Sequence, residues 1–284
     1  MDKESFELSK ELWRLCFQED GDPFIDWYYR TRTKPEYALG AFVDGDKSPV
    51  GMLHMLPRLM RVNGTSQSVC FVAGVATHPE LRRRGICSRL FKEAFDIMRT
   101  RGFSLSVLQP FDPAFYERLG YKTYSWLNRI ELSAERLNNI GRTAETIEPD
   151  PERLAEQYSA FTTPYDGCSL RDKEYFKGFI DEFGLQGARL VTTPYGCCAG
   201  YEEGESFMAY ELFSKRRDPE SLLALLPRGY KSVTFFLPED IELSGMLLLT
   251  GGFSSFKTVP FCMAARLADG VSFGEEAVYC SDRY

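Results

Sequence analysis

The sequence VATHPELRRRGICS, residues 75–88, carries the strongest structural signal in the chain. It begins at the end of an apolar run of strand length, FVAGVA at 71–76, and leads into a segment whose apolar residues recur at helical spacing up to Met98. A strand, a tight basic turn and a helix are therefore predicted in this order. The first N–H groups of a helix lack intrahelical acceptors and carry partial positive charge, so three arginines at that point predict a pyrophosphate site.

The hexapeptide RRRGIC at 82–87 resembles the acetyl-CoA signature R/Q-x-x-G-x-G/A of the GCN5-related N-acetyltransferases, the GNAT superfamily. Cys87 takes the place of the final small residue and is itself small. The resemblance implies an α/β (α+β) fold in which a mixed, mostly antiparallel central sheet is flanked by helices. The alternative interpretation is a plain helix start with solvated arginines, which would not require the apolar strand that precedes the turn.

Two copies of this fold are predicted in tandem. Up to residue 135 the patterns predict two helices, an antiparallel meander with an Asn63-Gly64 turn, the strand–turn–helix unit, and then a strand, a short helix and a strand. That order matches the GNAT fold, so residues 1–135 are assigned to a catalytic domain and 136–150 to a linker. Residues 151–270 partly repeat the pattern and are assigned to a degenerate GNAT-like domain, followed by a tail at 271–284.

The tandem arrangement, together with FYERLGY at 115–121, resembles the Eis-like bacterial acetyltransferases. Members of that group carry a third, sterol-carrier-like domain at the C-terminal end, which this sequence is expected to lack. The second copy has SKRRDP at 214–219 where the first has its basic turn, and it offers no glycine there. We therefore expect only the first copy to bind the cofactor.

The resemblance implies acetyl-CoA as the co-substrate and places three groups of residues around it. A strand edge would present its backbone to the pantetheine arm, and the basic turn would hold the pyrophosphate with backbone N–H groups and arginine side chains. These two groups are Val75, Ala76 and Thr77, and Arg83, Arg84, Gly85, Ile86, Cys87 and Ser88. Phe111 and Asp112 follow the next predicted strand and are expected to line the cofactor, with core packing as the alternative for Phe111.

Tyr116 is the predicted general acid, because a neutral phenol can protonate a departing thiolate and the GNAT resemblance places such an acid after the cofactor strand. A core tyrosine whose hydroxyl bonds to the backbone is the alternative. In Eis-like proteins the carboxylate of the C-terminal residue serves as the general base, which implies Tyr284 here. The competing bases are Glu19, Asp20, His54 or a water chain, whereas His78 is assigned to the turn.

The first two predicted helices are rich in aromatic residues. Such side chains suit the wall of an acceptor pocket, and for most of them we prefer the simpler assignment to the core between helices and sheet. The residues concerned are Trp13, Phe17, Phe24, Trp27 and Tyr28.

Composition narrows the choice of partners. The 284 residues are 44% hydrophobic, which is enough for a core, yet no apolar run approaches the ~20 residues of a membrane helix and the N-terminus lacks the apolar core of a signal peptide. The net charge of −7 argues against nucleic acid and suits a cationic acceptor. The eight cysteines show no metal-ligand spacing, so no metal is predicted, and reduced thiols in a cytoplasmic protein are expected.

The sequence thus predicts a cytoplasmic N-acetyltransferase that moves an acetyl group from acetyl-CoA to a primary amine of a small molecule, or alternatively of a protein. Two other classes stay open, namely a non-catalytic CoA-binding regulator and an interaction scaffold whose basic turn is solvated. The oligomeric state also stays open, with a homo-oligomer among the alternatives.

Overall fold

The computed structural model describes residues 1–139, 144–240, 243, 245, 254–271 and 278–280. They divide into two units, one from residues 1–124 and 262–271, and the other from the described parts of 125–261 and from 278–280. Each unit is built on a six-stranded mixed sheet with helices packed against it, which confirms the predicted α/β class. No helix within these ranges is long and apolar enough to cross a membrane.

The first unit consists of helices α1 (Lys3–Cys16), α2 (Asp22–Thr31), α3 (Ile86–Thr100) and α4 (Pro113–Glu117), with short 3-10 turns at Pro35–Tyr37 and Pro79–Leu81. Its strands, numbered along the chain, are β1 (Ala38–Ala41), β2 (Gly51–Val62), β3 (Thr65–Thr77), β4 (Leu105–Leu108), β5 (Lys122–Thr123) and β12 (Met263–Arg266). The predicted Asn63-Gly64 turn joins β2 to β3, and both residues have the positive φ that such a turn requires, 49° and 69°.

The second unit consists of helices α5 (Ala134–Asn139), α6 (Pro151–Thr162), α7 (Lys173–Leu185) and α8 (Pro219–Leu225). Its strands are β6 (Trp126–Ser133), β7 (Arg189–Thr192), β8 (Gly196–Glu203), β9 (Ser206–Ser214), β10 (Ser232–Pro238) and β11 (Ser255–Pro260).

The two sheets have the same strand order and the same strand directions. The first runs β1-β2-β3-β4-β12-β5 and the second β7-β8-β9-β10-β6-β11. In both sheets the third and fourth strands are parallel, and all other neighbours are antiparallel. The second sheet is therefore a structural repeat of the first.

The fifth position of each sheet is occupied by a strand from the other half of the sequence. β6 follows β5 along the chain but pairs with β10 and β11, and β12 follows β11 but pairs with β4 and β5. Assigning residues 1–135 to one domain implies that β6 belongs to the first sheet. In the structure β6 belongs to the second sheet. Alternating apolar residues predict that a segment is a strand but not which sheet it joins, because the side-chain period is the same in both.

Two apolar layers enclose the first sheet. On one face α1 and α2 pack Trp13 and Ile25 against Met52 of β2, and on the other face α3 packs Phe91 against Leu53. Met52 and Leu53 serve opposite layers because successive side chains of a strand alternate between its two faces.

β3 changes this alternation at Gly74. The register with β2 gains one residue between the pairs Met52–Ala76 and His54–Ala73, which is a β-bulge, and Gly74 has a left-handed backbone with φ 56°. After the bulge, Val75 packs against the α3 layer and Ala76 against the α1 layer. The bulge thus determines which way the last residues of β3 face.

We expect Gly74→Ala to lower the free energy of unfolding by about 2–4 kcal/mol, the sum of left-handed strain and overpacking. A Cβ at this position would lie 2.7 Å from Cζ3 of Trp13 and 3.0 Å from Nδ1 of His54. Gly64→Ala is the matched control, because Gly64 also has a positive φ but nothing within 4 Å of such a Cβ, and it should lose only about 1–2 kcal/mol. Equal losses in chemical denaturation would contradict the packing argument.

Candidate functional site

The pairing between β3 and β4 ends before β3 itself does. Their parallel pairing runs from Val69–Leu105 to Phe71–Val107, whereas β3 continues to Thr77. Over residues 72–77, β3 pairs with β2 on one side and is paired with no described strand on the β4 side. Its backbone polar groups on that side can be satisfied by a ligand that lies in the wedge like an added strand. The predicted strand edge at 75–77 lies in this wedge.

The basic turn that follows β3 leads into α3 through two left-handed residues. Arg83 has φ 63° and Gly85 has φ 76°. Gly85 is the N-cap of α3, and no side chain in the described part of the chain caps the helix there. The first backbone bond of the helix is donated by Arg89 to the carbonyl of Gly85. The N–H groups at positions 86–88 therefore lack helical acceptors, and the helix dipole adds partial positive charge at this end. This geometry suits a bound anion.

A cavity of about 700 Å³ opens between the wedge and the basic turn. Its wall combines the end of α1, the end of β3, the basic turn, the start of α3 and the segment from β4 to α4. The lining residues are Cys16, Phe17, Glu19, Val75, Ala76, Thr77, Arg82, Arg83, Gly85, Ile86, Cys87, Ser88, Phe111, Phe115 and Tyr116. Most of the residues predicted for cofactor binding are thus brought together in one cavity.

Two of the predicted cofactor residues lie outside this lining. Arg84 is exposed but is not part of the cavity wall. The carboxylate of Asp112 accepts a hydrogen bond from the N–H of Ala114 at 3.1 Å and so caps α4. The Asp112 carboxylate is therefore engaged within its own loop.

Arg82 lines the cavity and was not among the predicted residues, although it is the first residue of the motif. Its Nε donates to the carbonyl of Thr77 at 3.3 Å, and one of its terminal nitrogens lies 4.0 Å from Sγ of Cys16. The Cys16 thiol donates to the same carbonyl at 3.6 Å. Arg82 therefore connects the basic turn to the end of β3 and the end of α1.

Tyr116 is 7% exposed and lies in the α3 layer, where its ring makes edge contacts with Phe91, Phe115 and Tyr121. Burial, helped by the nearby Cys87 and Asp112, raises the pKa of Tyr116 to about 12. Within the described residues its hydroxyl makes no hydrogen bond to the protein, and the residue lines the cavity. The ring is thus a core element, and the hydroxyl is not tied to the backbone.

Cys87 occupies the first turn of α3 in the cavity wall. Burial raises the pKa of its thiol to about 11. The thiol is therefore neutral near pH 7, and the helix start does not activate it as a nucleophile.

Of the proposed bases, Glu19 alone lies in the described lining of the cavity. Asp20 accepts a hydrogen bond from the indole N–H of Trp13 at 2.8 Å, and burial raises the pKa of this carboxyl. His54 is fully buried, its ring stacks against both Trp13 and Tyr28, and burial lowers its pKa to about 3. It is a neutral core histidine away from the cavity.

His78 begins the 3-10 turn at Pro79–Leu81 and does not line the cavity. Tyr284 lies outside the described residues. The aromatic residues divide as follows: Trp13, Trp27 and Tyr28 are buried in the α1–α2 layer, Phe24 packs against that layer, and Phe17 lines the cavity.

In the second unit, carboxylates of the protein itself bind the equivalent turn and cap the helix that follows it. Arg217 has φ 53°, like Arg83 in the first unit, but its guanidinium donates to the carboxylate of Asp240 at 3.2 Å and to the hydroxyl of Tyr165 at 3.1 Å. The carboxylate of Asp218 caps α8 by accepting from the N–H of Ser221 at 2.8 Å. The helix start that is open in the first unit is thus closed in the second.

Among the described residues no group of three or more His, Cys, Asp or Glu side chains is arranged to hold a metal ion.

The wedge beside β3, the uncapped helix start and the basic turn meet in one cavity, and this combination suits an extended ligand that carries an anionic group. Residues 1–124 match the family model described as an acetyltransferase (GNAT) domain. The resemblance drawn from the basic turn is therefore confirmed.

Relatives and solved structures agree with this assignment. An uncharacterised N-acetyltransferase of Streptomyces coelicolor is 32% identical over 148 residues, which cover 49% of this chain and 33% of the relative, so the match spans about a third of that protein. A GCN5-related N-acetyltransferase from Kribbella flavida has a TM-score of 0.72 at 17% identity, covering 94% of this chain and 71% of the other. Eis1 from Mycobacterium abscessus has a TM-score of 0.67 at 16% identity, covering 92% and 71%. At these identities the two structures show a shared fold.

Proposed function

We propose that the first unit transfers an acetyl group from acetyl-CoA to a primary amine of a small molecule. The observation that carries this proposal is the single cavity that joins an uncapped helix start, arginine side chains and the Tyr116 phenol. The eight cysteines are free thiols, which fits a reducing compartment, and we place the protein in the cytoplasm. The second unit, whose turn is occupied by its own carboxylates, serves as a scaffold without cofactor.

The cofactor would span the cavity from the basic turn to Tyr116. The pyrophosphate would accept hydrogen bonds from the N–H groups at positions 86–88, supported by the Arg83 guanidinium. The pantetheine arm would lie in the wedge beside Val75 and Ala76, where the backbone of β3 is paired with no described strand on the β4 side. This arrangement fixes the thioester near α4.

The chemistry is a direct transfer in which the neutral amine attacks the thioester carbonyl. A C–N bond forms, the C–S bond breaks, and the departing thiolate takes a proton from the Tyr116 hydroxyl. Burial raises the pKa of Tyr116 to about 12, so the phenol keeps its proton near pH 7 and is available as the donor.

Glu19 is given a role in binding the acceptor amine. A carboxylate is a weak base towards an alkylammonium ion, because their reference pKa values differ by about six units. It does attract a cation, and Glu19 lines the cavity together with Phe17. We therefore assign Glu19 to binding the acceptor ammonium group, with the proton leaving through water.

Gly85→Glu should abolish the thermal stabilisation that excess acetyl-CoA gives the wild-type protein. The substitution puts bulk and negative charge where the pyrophosphate binds, and a ligand that binds only the native state must raise its apparent stability. Gly85→Ala is the matched control: a Cβ there meets nothing within 4 Å, so it shares the backbone strain at φ 76° but not the charge. No ligand-induced shift in the wild type would refute the cofactor site.

Tyr116→Phe should reduce kcat by about 10²-fold or more and leave the affinity for CoA unchanged, because only the proton donor is lost. The ring stays packed, so the melting temperature should hardly change. Since the pKa of Tyr116 is about 12, the wild-type rate should rise with pH as the amine deprotonates, without a Tyr116-dependent fall below about pH 10. Release of the CoA thiol, followed in a screen of amines, measures kcat and its pH dependence. A variant as active as the wild type would exclude Tyr116 as the acid.

Glu19→Gln should raise KM for a cationic amine about tenfold at low ionic strength and change kcat little, because it removes charge attraction but no chemical step. Asp20→Asn is the neighbouring control outside the cavity lining. The difference in KM should shrink as salt is added. A large fall in kcat with an unchanged KM would instead make Glu19 the general base, and no effect at all would favour Tyr284 or a water chain.

A further inference from the structure

A smaller cavity is lined by residues of the second unit and is called the α5 cavity below. It has a volume of about 270 Å³ and lies between α5 and the segment that joins α8 to β10. Its described lining contains no aspartate or glutamate and consists of Ala134, Leu137, Asn138, Arg228, Gly229, Tyr230 and Lys231. The turn at 214–219, which corresponds to the cofactor turn, is not part of this lining.

Arg228 is held in place by the end of α8. Its Nη1 donates to the carbonyl of Leu226 at 2.8 Å and, more weakly, to the carbonyl of Leu223 at 3.4 Å. The last carbonyls of a helix lack intrahelical donors, so this arginine completes the C-terminal end of α8. The capping role fixes the guanidinium and uses one of its two terminal nitrogens.

The rest of the Arg228 guanidinium lacks a partner. Nη2 is buried and donates to no described residue, and the side chain forms no ion pair within the described part of the chain. Burial also lowers the pKa of Arg228, because a guanidinium is less stable as a cation away from water. A buried donor and an unpaired charge are both costly, and one anion would satisfy the two together.

The other charged residue of the lining already has a counterion. Nζ of Lys231 pairs with the carboxylate of Glu205, and both side chains are 72% exposed. The hydroxyl of Tyr230 donates to the carboxylate of Glu202. Arg228 thus provides the one unpaired positive charge of the described lining, which matches a ligand that carries a single negative charge.

We propose that the α5 cavity binds a small monocarboxylate with a compact apolar body. The carboxylate would accept hydrogen bonds from Arg228 and from the Asn138 amide, and the body would pack against Leu137 and Tyr230. A phosphate dianion suits this cavity less well, because a single unpaired cation would balance only part of its charge. The site does not rest on the proposed acetyl transfer, and it makes the second unit a ligand-binding module as well as a scaffold.

Isothermal titration of the full chain with benzoate tests the proposal. Benzoate should bind at a single saturable site. Benzamide, which has the same ring but no charge, should bind at least about tenfold more weakly, because charge-assisted hydrogen bonds to the guanidinium are lost. Inorganic phosphate should also bind at least about tenfold more weakly than benzoate. The affinity for benzoate should fall as salt is added.

Two variants connect the binding to this cavity. Arg228→Gln should raise the dissociation constant for benzoate about tenfold or more, and it should also lower the melting temperature because the bonds to α8 are lost. Asn138→Asp leaves those bonds in place and adds a negative charge at an exposed position of the lining, so it should weaken benzoate binding about tenfold as well.

Arg216→Gln is the matched control for Arg228→Gln. Arg216 is also a partly buried arginine of the second unit, but its guanidinium lies on the ring of Tyr195, with its carbon 3.3 Å from the ring centroid, and it does not line the α5 cavity. This variant should bind benzoate as the wild type does. All titrations are made well below the melting temperature of the variant concerned.

Four results would overturn the proposal. A wild-type protein that does not bind benzoate has no such site, and equal binding of benzamide would mean that charge is not recognised. Unchanged benzoate affinity in both Arg228→Gln and Asn138→Asp would place the ligand elsewhere. Tighter binding of phosphate than of benzoate would make the carboxylate class wrong. Each of these results leaves the acetyl-CoA cavity of the first unit untouched, because stabilisation by acetyl-CoA tests that cavity separately.

Discussion

The separation of β3 from β4 beyond the Phe71–Val107 pair is the constraint on which the candidate site depends. If the two strands stayed paired to Thr77, the backbone groups of residues 72–77 would be hydrogen-bonded within the sheet and unavailable to a ligand. The bulge at Gly74 acts at the same place, because one extra residue bends and twists a strand and re-aims its side chains. Val75 consequently faces the α3 layer and the cavity instead of the α1 layer.

The second unit repeats this separation, so the separation by itself does not account for the difference between the two turns. The pairs between β9 and β10 likewise stop at Ala209–Phe235 although β9 continues to Ser214. The two units differ in the charged groups at the turn. In the first unit Gly85 leaves the helix start uncapped, whereas in the second Asp218 places a carboxylate there and Asp240 binds the turn arginine. An anion site requires unsatisfied donors, and within the described parts of the two turns these are found in the first unit.

The sequence predicts those parts of the site that depend on local chemistry. A basic turn ending in glycine before an amphipathic helix predicts the anion-binding geometry, because left-handed φ and uncapped N–H groups arise within a few residues. It does not predict that Arg82 bonds to Thr77 or that Asp112 caps α4, since both depend on how a side chain turns within its loop. The exposure of Phe111 is not predictable either, because cofactor lining and core packing both suit a phenylalanine at this position.

β12 is the strand that is hardest to predict from the sequence, and it completes the sheet of the first unit. Tyr116 and Tyr121 lie in an apolar layer that includes Met263 and Ala265 of β12, and β12 separates β4 from β5 in the sheet. The GNAT family match ends at residue 124, so this strand comes from far beyond it. Without β12, the facing edges of β4 and β5 would be unpaired and the layer around the proposed acid would lose part of its packing. The unit that holds Tyr116 is therefore defined by pairing in space, and its stability depends on the part of the sequence that follows the second sheet.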